Sequence, residues 1–165
     1  MTKFSLFMAA MTAFFSLSMG QMATAHDGMR IEDPYARVIG ASAKSGAVFM
    51  TLLNHSIEDD RLISVTTDAA ARAELHTHSV DANGVMTMGE VTEGFPIAGM
   101  ETHLLDRGGD HIMLLGLTRA FAPGDTITLT LTFERTGNMV IEVPVDNDRK
   151  PEAMDHSGHN MPATD

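Results

Sequence analysis

Three pairs of potential metal donors stand at alternate positions in this chain: His76-x-His78, Met86-x-Met88 and His111-x-Met113. In an extended strand, residues i and i+2 share a face, so each pair would present two donor side chains together. Asn83-Gly84 lies between the first two pairs, and both residues tolerate the positive φ of a two-residue hairpin turn. Pairing across that turn would bring the His pair against the Met pair. Gly108-Gly109 precedes the third pair and could return it to the same end of the fold. Imidazole and thioether donors without thiolate or carboxylate suit a soft monovalent ion, Cu(I), whereas Zn2+ favours Cys, His and carboxylate, and Ca2+ and Mg2+ need oxygen. The ordinary alternative is that the methionines fill a core and the histidines are surface or hydrogen-bonded residues. Convergence of the three pairs is what separates the two readings.

The elements that must position these residues read as strands. Between Met29 and Val145, short runs rich in Val, Ile, Leu and Thr are separated by Gly, Asn, Asp and Pro. The pattern predicts strands over Arg30–Ile39, Ala47–Asn54, Arg61–Thr67, Arg72–His78, Val85–Glu93, His111–Leu117, Thr126–Glu134 and Met139–Val145. The last two alternate cleanly, each with one apolar face, and Thr136-Gly137-Asn138 would join them as a hairpin. Ala69-Ala70-Ala71 reads as a single helical turn. Regularly spaced short strands imply an all-β Greek-key β-sandwich or barrel of immunoglobulin-like size. Its core would be aliphatic and would include Met50 and Met139, while His55 and His103 would be exposed bystanders and Met100 is left unassigned.

At 165 residues with a formal charge of −11, the chain has the length of one domain and an acidity that argues against a nucleic-acid partner. Lys3, the apolar run Phe4–Met19 and then Ala23-Thr24-Ala25 form an export signal, with cleavage expected after Ala25. The apolar run is shorter than the ~20 residues of a spanning helix, and no later stretch approaches that length, so no membrane span is expected after cleavage. The expected location is the periplasm. Eight histidines and fourteen methionines accompany a complete absence of cysteine. In an oxidising compartment thioethers keep a soft-metal site open where thiols would be drawn into disulfides.

Residues 1–25 are thus expected to be a signal peptide, 26–146 a β-barrel domain and 147–165 a disordered, flexible tail, polar from Asp146 onward. The tail carries Met154, His156, His159 and Met161, which could take a second copper, Cu(I) through Met or Cu(II) through His. His26 as the new N-terminus would offer an amine and an imidazole suited to Cu(II).

Ala73-Glu74-Leu75-His76-Thr77-His78, Gly84-Val85-Met86-Thr87-Met88 and Gly108-Gly109-Asp110-His111-Ile112-Met113 resemble the signature of the PCuAC periplasmic copper(I) chaperones. Asp33-Pro34-Tyr35-Ala36-Arg37, Ser45–Met50 and Asp59-Asp60-Arg61-Leu62 are similar to that family's other blocks, so the resemblance spans nearly all of 30–145. It implies a cupredoxin-like β-barrel that carries Cu(I) on two His and two Met at its rim and supplies the Cu(A) centre of cytochrome c oxidase. By position, His76, Met88, His111 and Met113 match the four ligands. The stretch from His76 to Met88 is one residue longer than the family's pattern, which keeps Met86 and His78 as alternative ligands. The implied partner is the Cu(A) subunit of the oxidase or a thiol-containing assembly factor, met by a monomer. No nucleophile and base stand at a recognisable spacing, so an enzyme is not expected; a copper sequestration or resistance protein is the alternative function.

Overall fold

The computed structural model describes residues 28–40, 42–80 and 84–150, with backbone only at Val80. The expected export signal, His26 and the tail residues Met154, His156, His159 and Met161 lie outside the described residues. Ten strands follow one another: β1 Met29–Arg37, β2 Ser45–Asn54, β3 Asp60–Thr66, β4 Ala70–Val80, β5 Met86–Glu90, β6 Phe95–Ile97, β7 Thr102–Leu105, β8 His111–Leu117, β9 Thr126–Phe133 and β10 Gly137–Pro144. No helix occurs among the described residues, so none there is long and apolar enough to cross a membrane. The expected all-β class holds.

Two antiparallel sheets form the sandwich. One has the order β1-β2-β8-β4-β5, with β7 also paired to β2; the other has the order β10-β9-β3-β6. The chain crosses between the sheets after β2, β3, β5, β6 and β8, the interleaving typical of Greek-key sandwiches. Alternation explains the packing. Along β9 the residues Ile127, Leu129, Leu131 and Phe133 are buried while Thr126 and Thr128 face out. They meet Val48, Met50, Leu52, Leu75, Ile112 and Leu114 from the facing sheet in one hydrophobic core. Met50 and Met139 belong to this core or pack against it, as expected.

Several sequence-based expectations need correction. The short strands β6 and β7 were not predicted, and of the alanines read as a helical turn Ala70 and Ala71 open β4 while Ala69 lies in the bend before it, with Ala69 and Ala70 buried in the core. The β9–β10 turn is Glu134-Arg135-Thr136, with Gly137 at φ +80° leaving it and pairing with Phe133. A two-residue turn at Asn83-Gly84 would pair Ala82 with Val85, whereas the ladder closes with Val80 opposite Met86 and leaves five residues between them. Organised structure also continues past residue 146: Asn147 accepts from the Val38 N–H at 2.9 Å and donates to the Val38 carbonyl at 2.8 Å, and Arg149 pairs with Asp33.

One buried charge ties the second sheet together. Asp60, at the start of β3, accepts from the backbone N–H groups of Arg61, Arg135 and Thr136 at 2.8, 2.9 and 3.1 Å and from the Thr136 hydroxyl at 2.6 Å. Burial alone would raise its pKa; the hydroxyl and the three amides outweigh that and hold it below the usual 3.8. The unfolded chain therefore takes up the proton first, so the stability contributed by Asp60 is complete above pH 3.8 and is lost as the pH falls through the lower folded value. Asp60→Ala should cost about 3 kcal/mol in urea unfolding at neutral pH, and Asp60→Asn should flatten the acid limb of the stability profile.

Candidate metal centre

The donor residues are brought together by where the ladders of β4 begin and end. β4 pairs with β8 from Ala70 opposite Leu117 to His76 opposite His111, and there the β8 ladder stops. On its other side β4 pairs with β5, from His76 opposite Glu90 through His78 opposite Met88 to Val80 opposite Met86. Beyond His76, then, β4 has a neighbour in β5 only. The line of β8 along β2 is continued by β7, whose Leu105 faces Met50, and residues 106–110 join the two strands beside this gap.

Leu75, Ile112 and Val48 point into the core, so by alternation Glu74, His76, His78, His111, Met113 and Met88 share the opposite face of the sheet. His76 lies directly across from His111, with ring centroids 5.9 Å apart, and His78 stacks on His111 at 5.0 Å. Met113 lies across from Glu74, and so diagonally from His76. Met88 is across from His78, one diagonal step from His76, and half-exposed at 49%. Met86 is four residues along β5 from the position opposite His76, roughly 13 Å at the rise of a strand, and faces Val80. Geometry thus favours Met88 over Met86. His78 stays close enough to His111 to remain part of the cluster.

The cluster has a covered side and an open side. His111 is 2% exposed although it faces away from the core, because Phe49 stands 6.2 Å from it, with Tyr35 a further 5.1 Å along. The 106–110 turn, closed by the Asp106 N–H donating to the Asp110 carbonyl at 2.8 Å, presents the Gly109 carbonyl to both His111 Nδ1, at 3.0 Å, and His78 Nδ1, at 3.3 Å. Gly108 has φ +103°, which favours glycine in this turn, and a Cβ on Gly109 would displace the Asp106 carboxylate, whose Oδ1 lies 2.5 Å from that position. Glu74, half-buried beside His76, approaches its Nε2 at 3.0 Å and Arg72 at 2.7 Å. Neither Glu74 nor the Gly109 carbonyl was among the candidates read from the sequence. A carboxylate two residues before His76 is a signal that alternation could have used, while a backbone carbonyl leaves none.

His103 also differs from expectation. It lies in β7, half-buried and stacked on Phe95 at 5.2 Å, with Nε2 2.9 Å from Asp110 Oδ2 but out of line for a hydrogen bond. His55 is exposed as expected, and Met100, at φ +60°, belongs to the turn against Ser56. Among the described residues no three His, Cys, Asp or Glu side chains converge as a group that could hold a metal ion.

The LpqE-like family model, described as "Putative lipoprotein LpqE-like", matches residues 29–145. This chain belongs to the LpqE-like family. It is 32% identical over 119 residues to "Putative lipoprotein Lxx21020" of Leifsonia xyli subsp. xyli, covering 72% of this chain and 70% of that one. Among solved structures, this LpqE-like chain is similar to the apo PCuAC domain from PmoF1, at 21% identity and TM-score 0.63, covering 72% of this chain and 93% of that domain. It is also similar to Cu(I)-DR1885 from Deinococcus radiodurans, at 27% identity and TM-score 0.56, covering 78% of this chain and 86% of that one. The resemblance to the PCuAC family drawn from the His and Met blocks therefore holds, and the fold is that of a PCuAC domain.

Burial lowers the pKa of His111 below 6.5, and the neighbouring His78 and His76 add to this, while the Gly109 hydrogen bond and Asp110 oppose it. The unfolded chain binds the proton first, so the stability tied to neutral His111 is complete above pH 6.5 and declines as the pH falls from there to the folded value. In an NMR titration of the metal-free protein, His111 should titrate below pH 6.5; a midpoint above it would contradict the burial described here.

Proposed function

We propose that this LpqE-like protein is an exported copper chaperone that binds Cu(I) through His76, Met88, His111 and Met113 and passes it on for assembly of the Cu(A) centre of cytochrome c oxidase. The observation that carries this reading is the ladder register, with His76 opposite His111 and with Met113 and Met88 each one diagonal step from His76. The likeness to a solved Cu(I)-bound protein, DR1885, adds weight to it. Two neutral imidazoles and two thioethers match the softness of Cu(I). This is a binding and transfer role, not an enzymatic one.

Delivery needs a site that a second protein can reach. Met88 is half-exposed on β5 while His111 is buried, so a recipient's ligand would displace Met88 first and the imidazoles last. A partner with a free thiol, or the Cu(A) subunit itself, fits that order of exchange, because soft ligands compete well for Cu(I). Export to the periplasm after cleavage at Ala25 agrees with the absence of cysteine. The tail residues Met154, His156, His159 and Met161 would take a second copper, Cu(I) or Cu(II), and His26 at the new N-terminus would separately offer a Cu(II) chelate.

An anaerobic Cu(I) competition titration on the mature chain from His26 to Asp165 tests the site. Met88→Ala and His111→Ala should each weaken binding by at least about tenfold, and Met86→Ala by less than about threefold. Replacing the four tail residues with alanine should leave one tight Cu(I). Unchanged affinity in a Met88→Ala/His111→Ala double variant would overturn the reading. Deletion of the gene should lower oxidase activity at limiting copper; heightened copper sensitivity with normal oxidase activity would point to sequestration instead.

A further inference from the structure

The two imidazoles that face each other across β4 and β8 are held by different partners at different nitrogens. A carbonyl oxygen can only accept, so the contact of 3.0 Å from His111 Nδ1 to the Gly109 carbonyl puts the proton on Nδ1 and leaves the lone pair on Nε2. An ionised carboxylate likewise only accepts, so the contact of 3.0 Å from His76 Nε2 to Glu74 Oε2 puts the proton on Nε2 and leaves the lone pair on Nδ1. That Nδ1 is buried and has no hydrogen-bond partner. A buried, unpartnered acceptor costs free energy unless something occupies it.

We infer that Glu74 is a positioning residue, and that the site takes Cu(I) through Nδ1 of His76 and Nε2 of His111, an unlike pair fixed before the metal arrives. The inference rests on the copper reading above and deepens it. Two further observations agree. Glu74 is itself only 13% exposed at its side chain and is braced on its other oxygen by Arg72 at 2.7 Å, so its aim at His76 is restrained. Glu74 and, directly across from His76, Glu90 put carboxylates on the face to which Cu(I) would bring one positive charge. Hydrogen bonding to the far nitrogen raises the basicity of the ligating one and removes the cost of choosing a tautomer on binding.

The test is a long-range proton–nitrogen correlation spectrum of the uniformly 15N-labelled mature protein, without metal and with one equivalent of Cu(I), which is diamagnetic. Without metal, His76 should carry its proton on Nε2 and His111 on Nδ1; with Cu(I), the nitrogens that shift should be His76 Nδ1 and His111 Nε2. Glu74→Ala should leave the His111 tautomer unchanged, release His76 to a mixture of tautomers and weaken Cu(I) binding by about tenfold. Glu74→Gln, whose amide carbonyl can still accept from Nε2, should restore the His76 tautomer. Cu(I) bound through the same nitrogen of both rings, or His76 protonated on Nδ1 before metal, overturns the inference and leaves the copper reading standing. Cu(I) that shifts neither ring takes down the copper reading, and the ligand assignment falls with it.

Discussion

The register of β4 against its two neighbours is the constraint on which the metal centre depends. Side chains alternate across a sheet, so a slip of one residue would turn His76 and His78 into the core and carry Leu75 out to solvent. The penalty for that slip is large because Leu75, Ile112 and Leu114 are all buried between the sheets. The apolar face of β4 and β8 thereby sets which residues meet on the other face. His76 and His111 share the outer face because their neighbours Leu75 and Ile112, paired across the same ladder, are held in the core.

The second requirement is that the donor face be neither dry nor fully wet. Phe49 and the 106–110 turn cover His111, while Met88 on the edge strand β5 stays half-exposed. Such a gradient suits a cargo that must be held by deep ligands and released through shallow ones. The same turn that covers His111 also supplies the carbonyl that aligns it, so shielding and orientation come from one element. Gly108 is there for a backbone reason, since it adopts φ +103°.

Much of this was legible in the residues. The alternation of Thr with Ile and Leu along β9, and the three His and Met pairs at i and i+2, follow from a period of two that any strand imposes. What could not be read was anything decided by distant partners. β6 and β7 have three and four residues, too few for a period, and exist because β3 and β2 pair with them. The Asn83-Gly84 signal is a local preference for a tight turn, and it was overridden by the β4–β5 register, which Val91 anchors by donating to the Leu75 carbonyl and packing against the core. The alanines at 69–71 favour helix by intrinsic propensity, yet burial of two of them draws them into the sandwich. Glu74 and the Gly109 carbonyl matter only through neighbours that folding brings to them.

The central claim is that imidazole and thioether together hold the metal, and X-ray absorption at the copper edge reads this most directly. Mature protein loaded with one equivalent of Cu(I) should show a mixed shell of two nitrogen and two sulfur scatterers, with one sulfur lost in Met88→Ala and one nitrogen lost in His111→Ala. A first shell of nitrogen and oxygen alone, unchanged by either substitution, would contradict the account.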